Sequence, residues 1–209
     1  MIVIYFEDED IMVVDKPAGL PSHKSANDDT PLPDYLGENL NPVHRLDQRV
    51  SGIILLAKNK ESFAVLQSDF EHRRVKKKYR AMVSNAPTNQ EDTLTHWIER
   101  DAKIKKAIVY NEEIVGRKKS VLSYKLVHSS EKYHLLEIEL FTGRFHQIRA
   151  QLSTIGCPIV GDIKYGFKRS SPDGSIFLQS FYLEFKHPKN KKTMSFQLEM
   201  PELWKKYGF

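Results

Sequence analysis

The sequence predicts a mixed α/β (α+β type) fold around a large, mostly antiparallel sheet flanked by helices and loops. Three observations predict it. Short apolar runs of strand length recur along the chain, helical periodicity is confined to a few segments, and no repeat or low-complexity linker divides them. Hydrophobic residues make up 40% of the 209 and aromatics 11%, enough to build a core and to exclude general disorder. This length suits one domain, with room for two lobes.

The elements follow in order. Residues 2–6 and 11–14 are apolar runs around the acidic turn Glu7, Asp8, Glu9 and Asp10, an opening hairpin. Pro17, Gly19 and Pro21 exclude a helix interior over 15–21. Residues 22–42 are polar and read as a loop with one short helix near 33–39. The continuous apolar run 53–57 predicts a strand buried on both faces. Phe63, Leu66 and Phe70 give 60–73 the spacing of an amphipathic helix. Residues 75–83 alternate, with Val75, Lys77, Tyr79, Ala81 and Val83 on one face. Further strands are expected at 94–98, 107–111, 120–127, 134–140, 176–185 and 193–199. After the break at Thr142 and Gly143 a helix is expected, with Ile148, Leu152 and Ile155 as its buried stripe and Gly156 and Pro158 ending it.

Composition excludes some classes. No apolar run reaches the ~18 residues of a membrane span, and the acidic start is not a secretory signal. The single cysteine, Cys157, excludes an internal disulfide and a cysteine-based zinc site, and suits a reducing cytosol. The net charge of +5 hides an asymmetry: residues 1–43 hold nine acids and two bases, a balance of −7, and the remainder carries +12. A basic body invites a polyanion, although lysine-rich surfaces also serve solubility alone.

Three segments concentrate chemistry. Residues 43–52 place His44, Arg45, Asp47, Arg49 and Ser51 in a polar loop before a buried strand, the kind of loop on which rigid scaffolds present catalytic groups. A plain turn, with Asp47 bonding nearby backbone N–H groups and Ser51-Gly52 closing it, is what the spacing alone favours. Residues 140–152 carry Arg144, His146 and Arg149 at a strand-to-helix junction able to hold a carboxylate or phosphate. The alternative is a solvated basic helix face. In residues 76–81, Tyr79 stands among Lys76, Lys77, Lys78 and Arg80, an arrangement that can stack a base and meet phosphates. An ordinary core-edge tyrosine beside solubilising lysines fits the same pattern.

Taken together the segments resemble the RluA family of RNA pseudouridine synthases. His44-Arg45-Leu46-Asp47 followed by Ser51-Gly52 resembles the catalytic motif, Lys16-Pro17-Ala18-Gly19 the first motif, and Lys78-Tyr79-Arg80-Ala81 the tyrosine motif. Residues 142–149 resemble the third, continued by Gly156, by 158–162, by Tyr165-Gly166 and by His187-Pro188. The chain departs from the family pattern at Val50 (usually Thr), at Leu178-Gln179-Ser180 (usually Leu-His-Ala) and at Ser120 (usually near an Ala).

The resemblance implies a pseudouridine synthase fold with a central catalytic cleft, as one catalytic domain over 1–209 with no accessory N-terminal RNA-binding domain. It implies isomerisation of uridine in structured RNA, tRNA or rRNA, without cofactor or metal. Asp47 would be the carboxylate acting on the sugar, Arg149 its charge partner, and Tyr79 the ring stacked on the target base. Arg45 would hold or replace the displaced nucleotide, and Ile148 would wall the pocket. His44, Arg144, His146, Lys76, Lys77, Lys78 and the 189–192 stretch are candidate RNA contacts. The acidic hairpin is expected to face away from the RNA. A cytoplasmic monomer without membrane association is expected. Competing readings are a non-catalytic RNA-binding or chaperone protein on the same fold, and an unrelated hydrolase using Asp47 and His146. Glycosidase chemistry would require a second carboxylate, which the second segment lacks.

Overall fold

The computed structural model describes residues 2–24, 30–37 and 39–209. Asp28, Asp29 and Glu38 of the acidic N-terminal count lie outside them. In chain order the elements are β1 (Val3–Glu7), β2 (Ile11–Lys16), α1 (Leu32–Leu36), β3 (Asn41–Pro42), β4 (Ser51–Ala57), α2 (Lys60–Glu71), β5 (Lys76–Val83), β6 (Glu91–Asp101), β7 (Lys106–Tyr110), β8 (Lys118–Ser129), β9 (His134–Leu140), α3 (Gln147–Thr154), β10 (Leu178–Lys186), β11 (Thr193–Gln197) and α4 (Glu202–Lys205), with a 3-10 turn at Ile163–Tyr165. The strand-rich, mostly antiparallel α/β architecture read from the sequence is the one observed. The chain forms two compact units, residues 1–77 with 179–199 and residues 78–178 with 200–209.

The first unit is organised by β4. Its apolar run leaves no side chain that needs water, so both faces can be covered. Ile53, Leu55 and Ala57 join Ile11 and Val13 of β2, Leu66 of α2 and Phe181, Leu183 and Phe185 of β10 in one core. Ile54 and Leu56 point the other way, against Met12, Val14, Leu32 and Leu40. The period-two alternation of strands produces this division. β2 pairs antiparallel with β4, and β1 continues the sheet as an antiparallel neighbour of β2. β11 pairs antiparallel with β10, and β10 meets β4 in a parallel pairing. Asn59 starts α2 by accepting a hydrogen bond from the Ser62 amide at 2.8 Å, as an N-cap asparagine does.

In the second unit β5, β9, β8, β6 and β7 lie side by side in that order, every pairing antiparallel. One face buries Ala81, Leu136, Ile138, Leu122 and Tyr124. α3 packs on β6 and β7. Trp204 of α4 stacks on Phe177 with ring centroids 5.4 Å apart, and Tyr207 meets Phe177 edge-on at 5.0 Å. The C-terminal helix was not legible as such in the sequence.

Two features of the first unit fix the loop between β3 and β4. Gly52 has φ +126°, and a Cβ there would run into the backbone carbonyl oxygen of Ser180 on β10. Only glycine allows this close approach. Lys16, at the end of β2, is fully buried. Its ammonium donates to the carbonyls of Pro17 at 2.9 Å, Leu20 at 2.7 Å and Gln48 at 3.4 Å. Burial pulls its pKa down to about 8, opposed by the carboxylates of Asp47 and Asp15.

Gly52→Ala is expected to lower stability by about 3 kcal/mol, from strain and from overlap with Ser180. Urea denaturation measures it. For Lys16 the sign follows from a folded pKa below the unfolded 10.5. The charged form is disfavoured in the folded chain, fully so below pH 8. That penalty disappears as pH rises from about 8 to 10.5, where the unfolded chain still binds the proton. Relative to Lys16→Met, the wild-type protein should therefore gain roughly 3 kcal/mol of stability across this window. Parallel stability–pH curves for the two proteins would contradict it.

Candidate active site

The 43–52 loop is held along its length by backbone and buried polar contacts. Ser22 Oγ donates to the Leu46 carbonyl at 2.9 Å and accepts from the Leu46 amide at 3.1 Å. Gly19 N donates to Gln48 O at 2.7 Å, and Gln48 Nε2 returns a bond to Gly19 O at 3.0 Å. Val50 N donates to Asp47 O at 3.0 Å, closing the turn. The first-motif segment and the Asp47 turn are thus one unit. Val50 and Leu46 are buried beneath it, whereas Asp47 is half-buried and Arg45 exposed. The Lys16 ammonium lies close enough to Asp47 for the two charges to interact. The expected partner cation in the sequence reading was Arg149, and this nearby lysine was missed.

His44 turns toward the fold. Its Nε2 accepts from the Leu55 amide at 3.1 Å and its ring stacks on Phe70 at 4.8 Å. Burial, with the Lys77 and His23 charges nearby, pulls its pKa down to about 3, so the ring is neutral. It ties the loop to β4, a role the sequence reading did not assign.

The second unit carries Tyr79 and Arg149. Tyr79 is buried in β5 opposite Ile138 of β9. Residues 142–147 close on themselves. Gln147 Oε1 accepts from Thr142 Oγ1 at 2.8 Å and from the Arg144 amide at 3.0 Å, and Gln147 Nε2 donates to Val121 O at 3.2 Å. His146 then adopts a left-handed conformation, φ 52°, at the start of α3. Its Nδ1 is 3.0 Å from the Tyr165 hydroxyl. Ile148 and Arg149 are both 5% exposed, which overturns the solvated-helix alternative for this segment. The first two turns of α3 are buried all round, beyond the stripe that the spacing predicts, and Ile155 is only half-buried.

The Arg149 guanidinium forms a bidentate pair with Asp162, Nε to Oδ2 at 2.7 Å and Nη2 to Oδ1 at 2.8 Å. It also lies over the Tyr165 ring, 5.0 Å from the centroid. Planar, two-point pairing is what a guanidinium offers and an ammonium does not. Removing one partner of a buried pair costs about 3–5 kcal/mol, because the other charge is left in the core. The sequence reading quoted Asp162 and Tyr165 only as part of a motif. The signal available was an aspartate directly after Gly161 near a helix that already carried a conspicuous arginine.

The candidate RNA contacts are distributed unevenly. Lys76 is exposed. Lys77 lies over the Phe70 ring at 5.5 Å, its pKa lowered by burial and by Arg73. Lys78 lines an open cavity of about 410 Å³ together with Lys125 and with Glu91, Asp92, Glu137 and Glu139. Arg144 Nε donates to Lys119 O at 3.4 Å. Phe145 is sandwiched between the His146 ring at 3.7 Å and the Arg100 guanidinium at 4.6 Å.

The acidic hairpin, expected to face away from the RNA, has the basic 189–192 stretch beside it. The β10–β11 turn lies against the hairpin tip. His187 and Asp8 share a bond of 2.9 Å, and Lys189 Nζ is 4.0 Å from Glu9. Strand pairing in the first unit brings together two segments that are far apart in sequence. Asp8, Asp10 and His187 group their ligand atoms within 4.8 Å of one another. His187 Nδ1 accepts from the Lys189 and Asn190 amides at 3.2 and 3.3 Å, so Nε2 carries the proton and donates to Asp8. The cluster is a hydrogen-bonded clamp.

The three departures are all buried. Ser120 Oγ donates to Lys118 O at 2.9 Å. Gln179 Nε2 donates to Glu199 O at 2.9 Å, while Gln179 Oε1 and Ser180 Oγ have no hydrogen-bond partner among the described residues. Gln179 pairs in register with Ser51, at the foot of the Asp47 loop.

Comparison with known proteins agrees with these motifs. Residues 10–154 match the family model described as RNA pseudouridylate synthase. An uncharacterised RNA pseudouridine synthase of Aquifex aeolicus is 31% identical over 98% of this chain and 71% of its own length. The ribosomal large subunit pseudouridine synthase D of Zymomonas mobilis is 32% identical over 95% of this chain and 69% of its own. The solved structure of human RNA pseudouridylate synthase domain containing 1 shares the fold, with a TM-score of 0.79 at 23% identity over 98% of this chain and 86% of that one. No helix among the described residues is long and apolar enough to cross a membrane. The motifs in their order and the match along 10–154 place the chain in the RluA-like RNA pseudouridylate synthase family, enzymes that isomerise uridine in RNA to pseudouridine.

Proposed function

We propose that Asp47 is the carboxylate that acts on the ribose of a flipped-out uridine, with Arg149 and Tyr79 serving the same nucleotide. The reaction breaks the bond from C1′ to N1, turns the uracil, and joins C5 to C1′. The hydrogen at C5 leaves as a proton and N1 gains one. No electron is exchanged, so the balance requires neither a redox cofactor nor a nucleotide. Attack on C1′ and removal of a proton from C2′ both require Asp47 as the anion. The Lys16 ammonium lies close enough to that carboxylate to interact with it within the same unit. Arg149 would add a second cation, fixed in plane by Asp162. Tyr79 would stack on the uracil, and Ile148 would wall the pocket. The observation that carries the reading is that Asp47 is the only carboxylate of residues 43–52, on a loop tied to the core through Ser22, Gln48 and Gly52.

Arg45 is exposed on this loop, which suits contact with the displaced nucleotide. Lys76, Arg144 and His146 are the remaining candidates for phosphate or base contact, together with Arg100 beside Phe145. The likeness to the Zymomonas mobilis ribosomal large subunit pseudouridine synthase D supports a ribosomal RNA substrate, and a cytoplasmic location belongs to the same proposal. Extruding a uridine costs a few kcal/mol, which phosphate contacts of this kind can offset.

Asp47→Ala should lower tritium release from RNA labelled with [5-³H]uridine by at least ~1,000-fold. Filter binding of the same RNA should stay within about threefold. Turnover retained in this variant excludes Asp47 as the catalyst. Affinity should also fall linearly on a log–log plot against salt concentration, and a salt-independent constant would remove phosphate contacts from the account.

A further inference from the structure

The geometry points to Asp162 as a positioning residue for the isomerisation: it sets the plane and direction of the Arg149 guanidinium without meeting the RNA itself. This rests on the proposed roles of Asp47 and Arg149. Asp162 is fully buried, and both its carboxylate oxygens bind Arg149, at 2.7 and 2.8 Å. It stands at the N-cap of the 3-10 turn Ile163–Tyr165, where an aspartate ordinarily turns its side chain onto backbone amides. Here it makes no such cap bond. The carboxylate is directed to the guanidinium instead.

The surroundings hold Asp162 in turn. Gly161 has φ +83°, and a Cβ there would come within 2.8 Å of Ser175 O, so the chain before Asp162 is pressed against residues 171–175. That loop is knotted by Ser171 Oγ donating to Ser175 O at 2.5 Å and by Asp173 accepting from Ser175 N at 3.0 Å. After Asp162 the turn delivers Tyr165, whose ring lies beneath the Arg149 guanidinium. The Tyr165 hydroxyl accepts from the Ala107 amide at 2.7 Å and lies 3.0 Å from His146 Nδ1, and the Lys106 ammonium is 5.1 Å from its ring. One edge and one face of the guanidinium are therefore fixed by a single short segment, residues 161–165. An arginine side chain has many rotamers, and this arrangement selects one before substrate arrives.

The test uses the full-length protein and total RNA labelled with [5-³H]uridine from cells lacking the gene. In Asp162→Asn an amide N–H replaces one acceptor and opposes the guanidinium. The maximal rate should fall roughly 100-fold. The half-saturating RNA concentration should stay within about threefold, since a buried residue makes no RNA contact. Asp162→Glu keeps the charge and should recover part of the rate. If Asp162→Asn does not fold by circular dichroism, Asp162→Glu decides alone: a lowered rate with unchanged half-saturation upholds the role, and a wild-type rate overturns it. In a folded Asp162→Asn, a wild-type rate overturns the role. Failure of the parent reading is distinct, because it would show as turnover retained in Asp47→Ala, whatever Asp162 does.

Discussion

A cation can stay charged inside a protein only where oxygen atoms replace the water it has left. Two buried cations of this chain meet that condition in different ways, one in each unit. Lys16 is surrounded by three backbone carbonyls, from Pro17, Leu20 and Gln48. Those carbonyls belong to the first motif and to the Asp47 turn, so solvating the ammonium also ties the two segments together. Arg149 is matched instead by a full carboxylate in two-point contact. Burial still lowers the Lys16 pKa, and its charge interacts with that of Asp47.

The scaffold around these charges is apolar and tightly registered. β4 buries both of its faces, so the loop that precedes it starts from a strand with no freedom to slip by one residue. Gly52 presses against Ser180 of β10 at the start of that strand. His44 contributes a neutral ring nitrogen to the Leu55 amide from the other end of the loop. Asp47 is thereby suspended between two fixed points, with its backbone carbonyl engaged by Val50 and its side chain half-buried. A carboxylate held in this way has little conformational entropy to lose when a substrate arrives.

Much of this was legible in the residues, because hydrophobic periodicity reports burial directly. The run 53–57, the spacing of Phe63, Leu66 and Phe70, and the break at Thr142 and Gly143 correspond to β4, α2 and the β9–α3 junction. Motif order led to the family, which no single segment could have done. What the sequence concealed were partnerships between residues far apart in the chain. Nothing local marks Lys16 as buried, since lysine is rarely so. Nothing local pairs Asp162 with an arginine thirteen residues earlier, or turns His44 inward. The short α4 lacks a periodic stripe, and its docking rests on one tryptophan stacked on Phe177.

Charge shows the same limit. Counting residues divides the chain into an acidic start and a basic remainder, and that division suggests two opposed surfaces. Folding mixes them. Asp8 and Glu9 meet His187 and Lys189, and Glu7 pairs with Lys58, all within one unit. The basic turn at 187–192 therefore presents a smaller net field than its composition implies. Attraction of a polyanion depends on uncompensated charge within about a Debye length, ~10 Å at 0.1 M salt. By that criterion the exposed Lys76 is better placed than the 189–192 stretch to meet phosphate.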